Sequence, residues 1–436
     1  MQLFFKKAIA ILLTFTLIFA VVPAVSAEDN DNRLLYGRKQ LQKLENGNDL
    51  TKAYDRIVTA IEAREDSVTL SDLSLTAEDV ELVYTAYRND PHGHFWLGDT
   101  YSYSGYSNGI VAAFMPGYNE LGSVSDEAFA SEVEAYDAAV KQVINNAGIR
   151  SGMSDYEIEL RLHNALVNKL DYQNSQNAHN SYGALVENVA VCQGYTLAFN
   201  YLLRLCGIEA HYVAGYSRDI PHAWSLVLVD GHYYYTDLTW DDPLGTHQGC
   251  NEIFHSYFNV TENILKFDHT FSPTPYELPV CEDVMDSYYA HNPERIMDGS
   301  PDAALVASFF NNGSASVYIP EEYTDSFISW FRTNIREIAE LAGYDLSEPL
   351  SYVYTHSQNE YHLIIEGVFL KPEITVILGD VNGDGSINSM DSNTLRRILA
   401  GVLTPTDINI AGGDLDKDGT ISSVDSNLLR RLIAGS

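Results

Sequence analysis

The stretch "VCQGYTLAFNYLLRLCGIEA", residues 191–210, decides the fold. Leu197, Tyr201, Leu202 and Leu205 recur at helical spacing and Gly207 is a natural stop, so the stretch predicts a buried helix. Cys192 then opens the helix and Cys206 falls in its last turn. The two ends differ electrostatically. Unpaired N–H groups and the helix dipole stabilise a negative sulfur at the start, and Gly194 keeps bulk away from it. Cys206 lies at the electronegative end on the apolar face "LLRLCGI" and reads as a packed structural cysteine. Cys192 is therefore the candidate nucleophile.

Working downstream, "PHAWSLVLVDGHYYYTDLTWDDP", residues 221–243, holds "DG" between two alternating runs, a hairpin signal. With Asp230 and Gly231 as a two-residue loop, Val229 pairs with His232, Trp224 faces Asp237 and His222 faces Thr239. His222 and Asp237 become diagonal neighbours on one face, roughly 7–8 Å apart at the backbone and within side-chain reach. Trp224, Leu226, Leu228, Tyr233 and Tyr235 share that face as an apolar wall. His211, after the helix loop, and His232, at the turn on the opposite face, are poorer candidates for a base. A thiol at a helix start with an imidazole–carboxylate pair fits nucleophilic catalysis.

These residues resemble the transglutaminase-like superfamily. The likeness runs through "SYGALVENVAVCQGYTLAFNYLLRLCGIEAHYVAGYS" and "HAWSLVLVDGHYYYTDLTWDDP", and extends to "MSDYEIELRLHNALVNKLDY" before and "HSYFNVTENIL" after, roughly residues 150–270. More loosely it reaches back through "NDPHGHFW" to the N-terminal helices. The resemblance implies an α+β, papain-like fold with a Cys, His, Asp triad. Motif by motif, these are Cys192 as nucleophile, His222 as base and Asp237 as orienting acid. Ser225 stands where many relatives have Asn, and a glycine common before the Cys is missing from "VENVAVCQG". Papain-like relatives often carry a Gln shortly before the Cys for the oxyanion. Val186 is no substitute, which leaves the Cys192 N–H and an unidentified donor.

The C-terminal part repeats itself. "GDVNGDGSINSMDSNTLRRILAG" from Gly379 matches "GDLDKDGTISSVDSNLLRRLIAG" from Gly413 nearly position by position. Each copy opens with a calcium-loop pattern that supplies oxygens from positions 1, 3, 5, 7 and 12. The first set is Asp380, Asn382, Asp384, the Ser386 carbonyl and Asp391; the second is Asp414, Asp416, Asp418, the Thr420 carbonyl and Asp425. Gly385 and Gly419 give the turn at position 6, and position 12 is Asp rather than the Glu of an EF-hand. The duplicated loop–helix unit over 379–436 resembles a type I dockerin, a small all-α module that binds two Ca2+ ions and docks enzymes onto a cohesin of a scaffoldin. The resemblance implies cohesin contacts at Ser389, Met390, Arg396 and Arg397, and at Ser423, Val424, Arg430 and Arg431. The near identity of the copies implies two docking orientations. Leu395, Ile398, Leu399, Leu429, Leu432 and Ile433 are expected to form most of its core.

The chain of 436 residues is long enough for two or three domains. Its formal net charge of −34 argues against nucleic-acid and anionic-membrane partners and fits calcium binding. Residues 1–27, with Lys6, Lys7, the run "AIAILLTFTLIFAVV" and "AVSA", read as a secretory signal. The expected order is then a mainly helical region at 28–150, the catalytic core at 151–298, a small α+β module or extension at 299–378, and the dockerin. No later stretch is long enough to span a bilayer. The four cysteines make no disulfide framework, and Cys250 with Cys281 is the one candidate pair.

The expected function is a secreted, scaffoldin-docked cysteine enzyme of protein amide bonds, a peptidase in the first instance, with no cofactor in the catalytic core. A crosslinking transglutaminase or deamidase differs only in the acyl acceptor or the amide attacked. A non-catalytic peptide- or carbohydrate-binding component is the alternative of another class, with "WLGDTYSYSGY" and "HYYYTDLTW" lining its groove. A glycoside hydrolase would need Asp241 and Asp242 as its carboxylate pair, and adjacent residues before a proline turn are poor geometry for that.

Overall fold

The structure, a computed structural model, describes residues 32–242, 253–296 and 302–310 without a break, and further segments between 314 and 434. The expected leader at 1–27, Cys250, and the loop residues Asp380, Asn382, Asp384, Ser386, Asp416, Asp418 and Thr420 lie outside the described residues. Two compact units emerge, Met1–Thr333 with Tyr352–Ile365, and Asn334–Ser351 with Glu366–Ser436. Among the described residues no helix is long and apolar enough to cross a membrane.

In the first unit, helices α1 (Tyr36–Gln42), α2 (Gly47–Glu62) and α3 (Ala77–Asn89) pack over a sheet ordered β1-β3-β2, from Val68–Thr69, Leu97–Gly105 and Val111–Tyr118. Thr76 caps α3 as the sequence indicates. Its hydroxyl accepts the Asp79 N–H at 3.2 Å while the Asp79 carboxylate accepts the Thr76 N–H at 2.9 Å, a capping box. Asp90, just past α3, is buried and accepts the first N–H groups of α1, from Gly37 at 2.7 Å and Arg38 at 3.0 Å. It also accepts the Tyr54 hydroxyl at 2.7 Å and lies 3.3 Å from His211 Nδ1. One carboxylate thus satisfies a helix start and ties the helical part to the neighbouring sheet.

That sheet is antiparallel and ordered β8-β7-β6-β9: β6 is Ala210–Ser217, β7 Ile220–Val229, β8 His232–Thr236 and β9 His269–Phe271, while β4 (Asp171–Tyr172) and β5 (Val189–Ala190) form a separate parallel pair. Helices α4 (Asp126–Asn146), α5 (Asp155–Val167) and α6 (Cys192–Leu205) form a core with one face, where Val227, Val229 and Tyr234 meet Leu162, Phe199 and Leu202. Trp224, Leu226 and Tyr235 bury the other face with Tyr257, Leu265 and Cys281. Asp230 and Gly231 both have positive φ, 46° and 94°, as a type I′ loop requires. Val229 pairs with His232 and Leu226 with Tyr235, the register counted from the turn. The ladder ends at Ser225–Thr236, so the expected Trp224–Asp237 and His222–Thr239 pairs do not form and the Asp237 N–H donates to Tyr257 O instead.

Helix α6 begins and ends as read. Its C-terminus is a Schellman closure, with Ile208 N–H donating to Leu203 O and Gly207 N–H to Arg204 O, each at 3.0 Å. The buried stripe differs from the expected one. Tyr195, Ala198, Phe199, Leu202 and Leu203 are inside, whereas Leu197 and Leu205 are half-buried, because α6 is enclosed on several sides. The reason for Gly194 also differs. A Cβ there would lie 2.3 Å from Ala178 O, so the glycine admits the 177–180 segment against the helix rather than clearing space at the thiol.

The 299–378 stretch contains helix α7 (Thr324–Leu341) and strands β10 (Ser314–Tyr318), β11 (Ser351–Ser357) and β12 (Glu360–Glu366), with the sheet ordered β10-β12-β11. The segment is thus α+β, with β12 in the middle of its sheet. In the second unit, α8 (Ser389–Leu399) and α9 (Ser423–Ala434) are the two repeat helices. Their buried core is Val381, Leu395 and Leu429, with Ile398, Leu415 and Ile421 packed against it. Leu399, Leu432 and Ile433 are exposed, contrary to expectation, and loop residues take their place in the core.

Candidate active site and calcium loops

Cys192 opens α6 from an extended Val191, and no side chain caps this end. The thiol is half-buried, whereas Cys206 is buried and its pKa is pushed by burial up to about 12. The two thiols thus differ in burial, and burial is what raises the Cys206 pKa. Cys281 is also a buried free thiol.

The hairpin brings the predicted pair together. His222 Nε2 lies 2.6 Å from Asp237 Oδ2. Burial by itself would disfavour a charged His222, but the Asp237 charge and hydrogen bond outweigh it, with the Cys192 side chain adding a hydrogen bond, and raise the pKa to about 10. Burial likewise opposes charge on Asp237, yet His222 and His269 hold it well below the usual carboxylate range. The Thr239 N–H, donating to Asp237 Oδ1 at 2.9 Å, fixes the carboxylate from the backbone side.

His269 is the residue that sequence reading missed. It enters on β9, wholly buried, with Nε2 3.1 Å from Asp237 Oδ2 and Nδ1 2.8 Å from Asp268 Oδ1. Gly215 on β6 lets β9 approach, since a Cβ there would lie 2.0 Å from Thr270 O. The one local signal was an Asp-His pair between Phe267 and Phe271. His222, Asp237 and His269 offer ligand atoms within 4.8 Å of one another. However, both Nε2 atoms address the same Asp237 oxygen, so they are occupied by hydrogen bonds rather than held open for a cation.

The other candidates have structural partners. His211 lies between Asp90 and Tyr276, and His232 is exposed 3.6 Å from Asp283. Asp241 Oδ1 accepts the Tyr257 N–H at 2.9 Å, and Asp242 Oδ2 accepts the Tyr195 hydroxyl at 2.6 Å. The carboxylates proposed for sugar chemistry are thus engaged in packing. In the aromatic stretches, Tyr234 and Tyr235 are buried, while Tyr103 and Tyr106 are exposed.

In the repeat, the two position-12 carboxylates behave alike. Asp391 and Asp425 are wholly buried, and their Oδ1 atoms accept the N–H groups of Val381 at 2.8 Å and Leu415 at 2.7 Å, the second residue of each loop. Buried carboxylates at position 12 of loops with this sequence pattern fit a hard cation with oxygen ligands. Of the cohesin candidates, Ser389 and Met390 open α8, Ser423 and Val424 open α9, and Arg396 and Arg397 lie along α8. Val424, Arg396, Arg430 and Arg431 are exposed.

Comparison with known proteins agrees with these two regions. Residues 143–238 match the model of the transglutaminase-like superfamily, and residues 378–434 match that of the dockerin type I domain. No curated protein matches the chain. Among solved structures, a TGase is similar at 14% identity and a TM-score of 0.24, over 41% of this chain and 52% of that one. The chain thus spans about half the length of that structure. A candidate cysteine protease from Cytophaga hutchinsonii is similar at 16% identity and a TM-score of 0.21, over 33% of this chain and 63% of that one. A candidate protease from Parabacteroides distasonis is similar at 11% identity and a TM-score of 0.19, over 62% of each chain. These likenesses are too distant to carry a functional argument. On the family matches, the chain carries a transglutaminase-like superfamily domain over residues 143–238 and a type I dockerin domain over residues 378–434.

Proposed function

We propose that the protein is a secreted, cohesin-docked cysteine enzyme that hydrolyses protein amide bonds through Cys192, His222 and Asp237. The observation that carries this reading is the part-buried 2.6 Å contact between His222 and Asp237, with a helix-opening thiol as the other partner of the ring. Asp237 fixes the ring and favours its charged form, so at neutral pH the imidazolium stands beside the sulfur. The sulfur attacks the amide carbonyl and a thioester forms as the C–N bond breaks. His222 gives its proton to the leaving amine and then takes one from the water that resolves the thioester. The Cys192 N–H at the helix start is one donor to the oxyanion.

Water is the acceptor favoured for an enzyme docked outside the cell, and this makes proteolysis the first reading. The dockerin supplies Ca2+ binding and the cohesin partner, with Asp380, Asn382, Asp384, Ser386, Asp391 and their second-repeat counterparts as ligands. Arg396, Arg397, Arg430 and Arg431, with Ser389, Met390, Ser423 and Val424, form the proposed cohesin contacts. The test is incubation of the mature protein with casein, with and without a primary amine. Peptide release that Cys192→Ala abolishes supports the peptidase. Amine incorporation without peptide release would replace it by a transglutaminase, and alkylation of Cys192 no faster than an ordinary thiol would favour a binding module.

A further inference from the structure

His269 lies beyond the stretch that matches the transglutaminase-like model, which ends at residue 238. Both of its ring nitrogens face carboxylates, Asp237 at 3.1 Å and Asp268 at 2.8 Å. A carboxylate only accepts, so a ring that donates to both must carry both protons. Asp268 is itself held ionised, accepting the Tyr257 hydroxyl at 2.7 Å and lying 3.5 Å from Arg218 Nη2. Among the described residues, the rings of His222, Trp224, Trp240 and Tyr257 also lie around it. Glu262 and Lys266, paired with each other, line the cavity of about 560 Å³ on its other side.

We propose that His269 is a positioning residue for the triad: as a buried cation between Asp237 and Asp268, it fixes Asp237 and shares that carboxylate's charge with His222. The inference rests on the proposed triad. Without the His269 charge the whole of Asp237 would act on His222, whose proton would be held more tightly and given up less readily to a leaving amine. The ring centroids are 5.5 Å apart. A unit charge at that separation, at an effective dielectric of about 20, moves a titration midpoint by about 2 pH units.

Alkylation of Cys192 in the full chain, followed by peptide mass mapping, reads this without a substrate. Anionic iodoacetate reacts faster beside a charged His222, so its rate relative to neutral iodoacetamide falls as that ring loses its proton. In the wild type the fall is expected near pH 10. In His269→Gln it is expected at least about 1 pH unit higher, and Asp268→Asn, which keeps the ring in place and covers a fold failure of the first variant, should move it the same way by less. A lowered midpoint in the folded variants would overturn the proposal, as would an unmoved one where the 15N spectrum keeps both His269 ring nitrogens of the wild type protonated up to that midpoint. So would a 15N spectrum showing one bare ring nitrogen on His269 at pH 8. If the wild type shows no such fall and His222→Ala alkylates at the wild-type rate, the triad itself fails, and the proposal with it.

Discussion

Replacing Asp237 with Asn keeps the shape of the side chain and removes the charge that His222 and His269 face. Raising the His222 midpoint from 6.5 to about 10 corresponds to about 5 kcal/mol of preference for the charged ring. Burial opposes that charge, so in Asp237→Asn the midpoint should fall below 6.5 and the ring should be neutral at pH 7. The wrong tautomer and the lost imidazolium should together cost about 10⁴-fold in rate. Stability should change in a pH-dependent way. The ion pair's contribution through His222 is complete below pH 6.5, where the unfolded chain also binds the proton, and is lost as pH rises through about 10. Asp237→Asn should therefore cost about 3–5 kcal/mol at pH 6 and progressively less toward pH 10. Urea unfolding read by tryptophan fluorescence is suitable, since the Trp224 ring lies 6.2 Å from His222. Casein hydrolysis measures the rate. Parallel stability curves for wild type and variant, or a near-normal rate, would refute the reasoning.

Further outcomes are expected elsewhere. Cys192→Ala and His222→Ala should each abolish casein hydrolysis, whereas Cys206→Ala, at a buried thiol, should keep activity and lose about 1 kcal/mol of stability, as unfolding curves would record. Gly194→Ala should cost about 1–3 kcal/mol and reduce activity, because the Ala178 carbonyl 2.3 Å from the new Cβ must move at the start of α6; wild-type melting would contradict this. EDTA should melt the dockerin and abolish cohesin binding, since its fully buried apolar core among the described residues is Val381, Leu395 and Leu429. Casein hydrolysis should continue, and replacing Asp380 and Asp414 together should reproduce the docking loss; calorimetry and cohesin pull-down check both.

The sequence alone determined whatever depends on near neighbours. The Asp230–Gly231 loop fixes the β7–β8 register, because a two-residue turn with positive φ at both positions leaves one pairing, and beyond its last pair, Ser225 with Thr236, the chain carries Asp237 to His222. Periodicity and Gly207 bounded α6, which separated Cys192 from Cys206 by their helix ends. The duplicated loops showed themselves by repetition, and Asp391 and Asp425 have matching contacts. Tertiary structure decided what depends on elements distant along the chain. His269 reaches Asp237 only because β9 docks on β6 across Gly215, and no local pattern encodes that approach. The reason for Gly194 and the choice of Val381 over Leu432 in the dockerin core are of the same kind. A strand's partner and a helix's buried side follow from how the whole chain fills space, whereas turns and caps follow from the dihedral and hydrogen-bonding needs of a few adjacent residues.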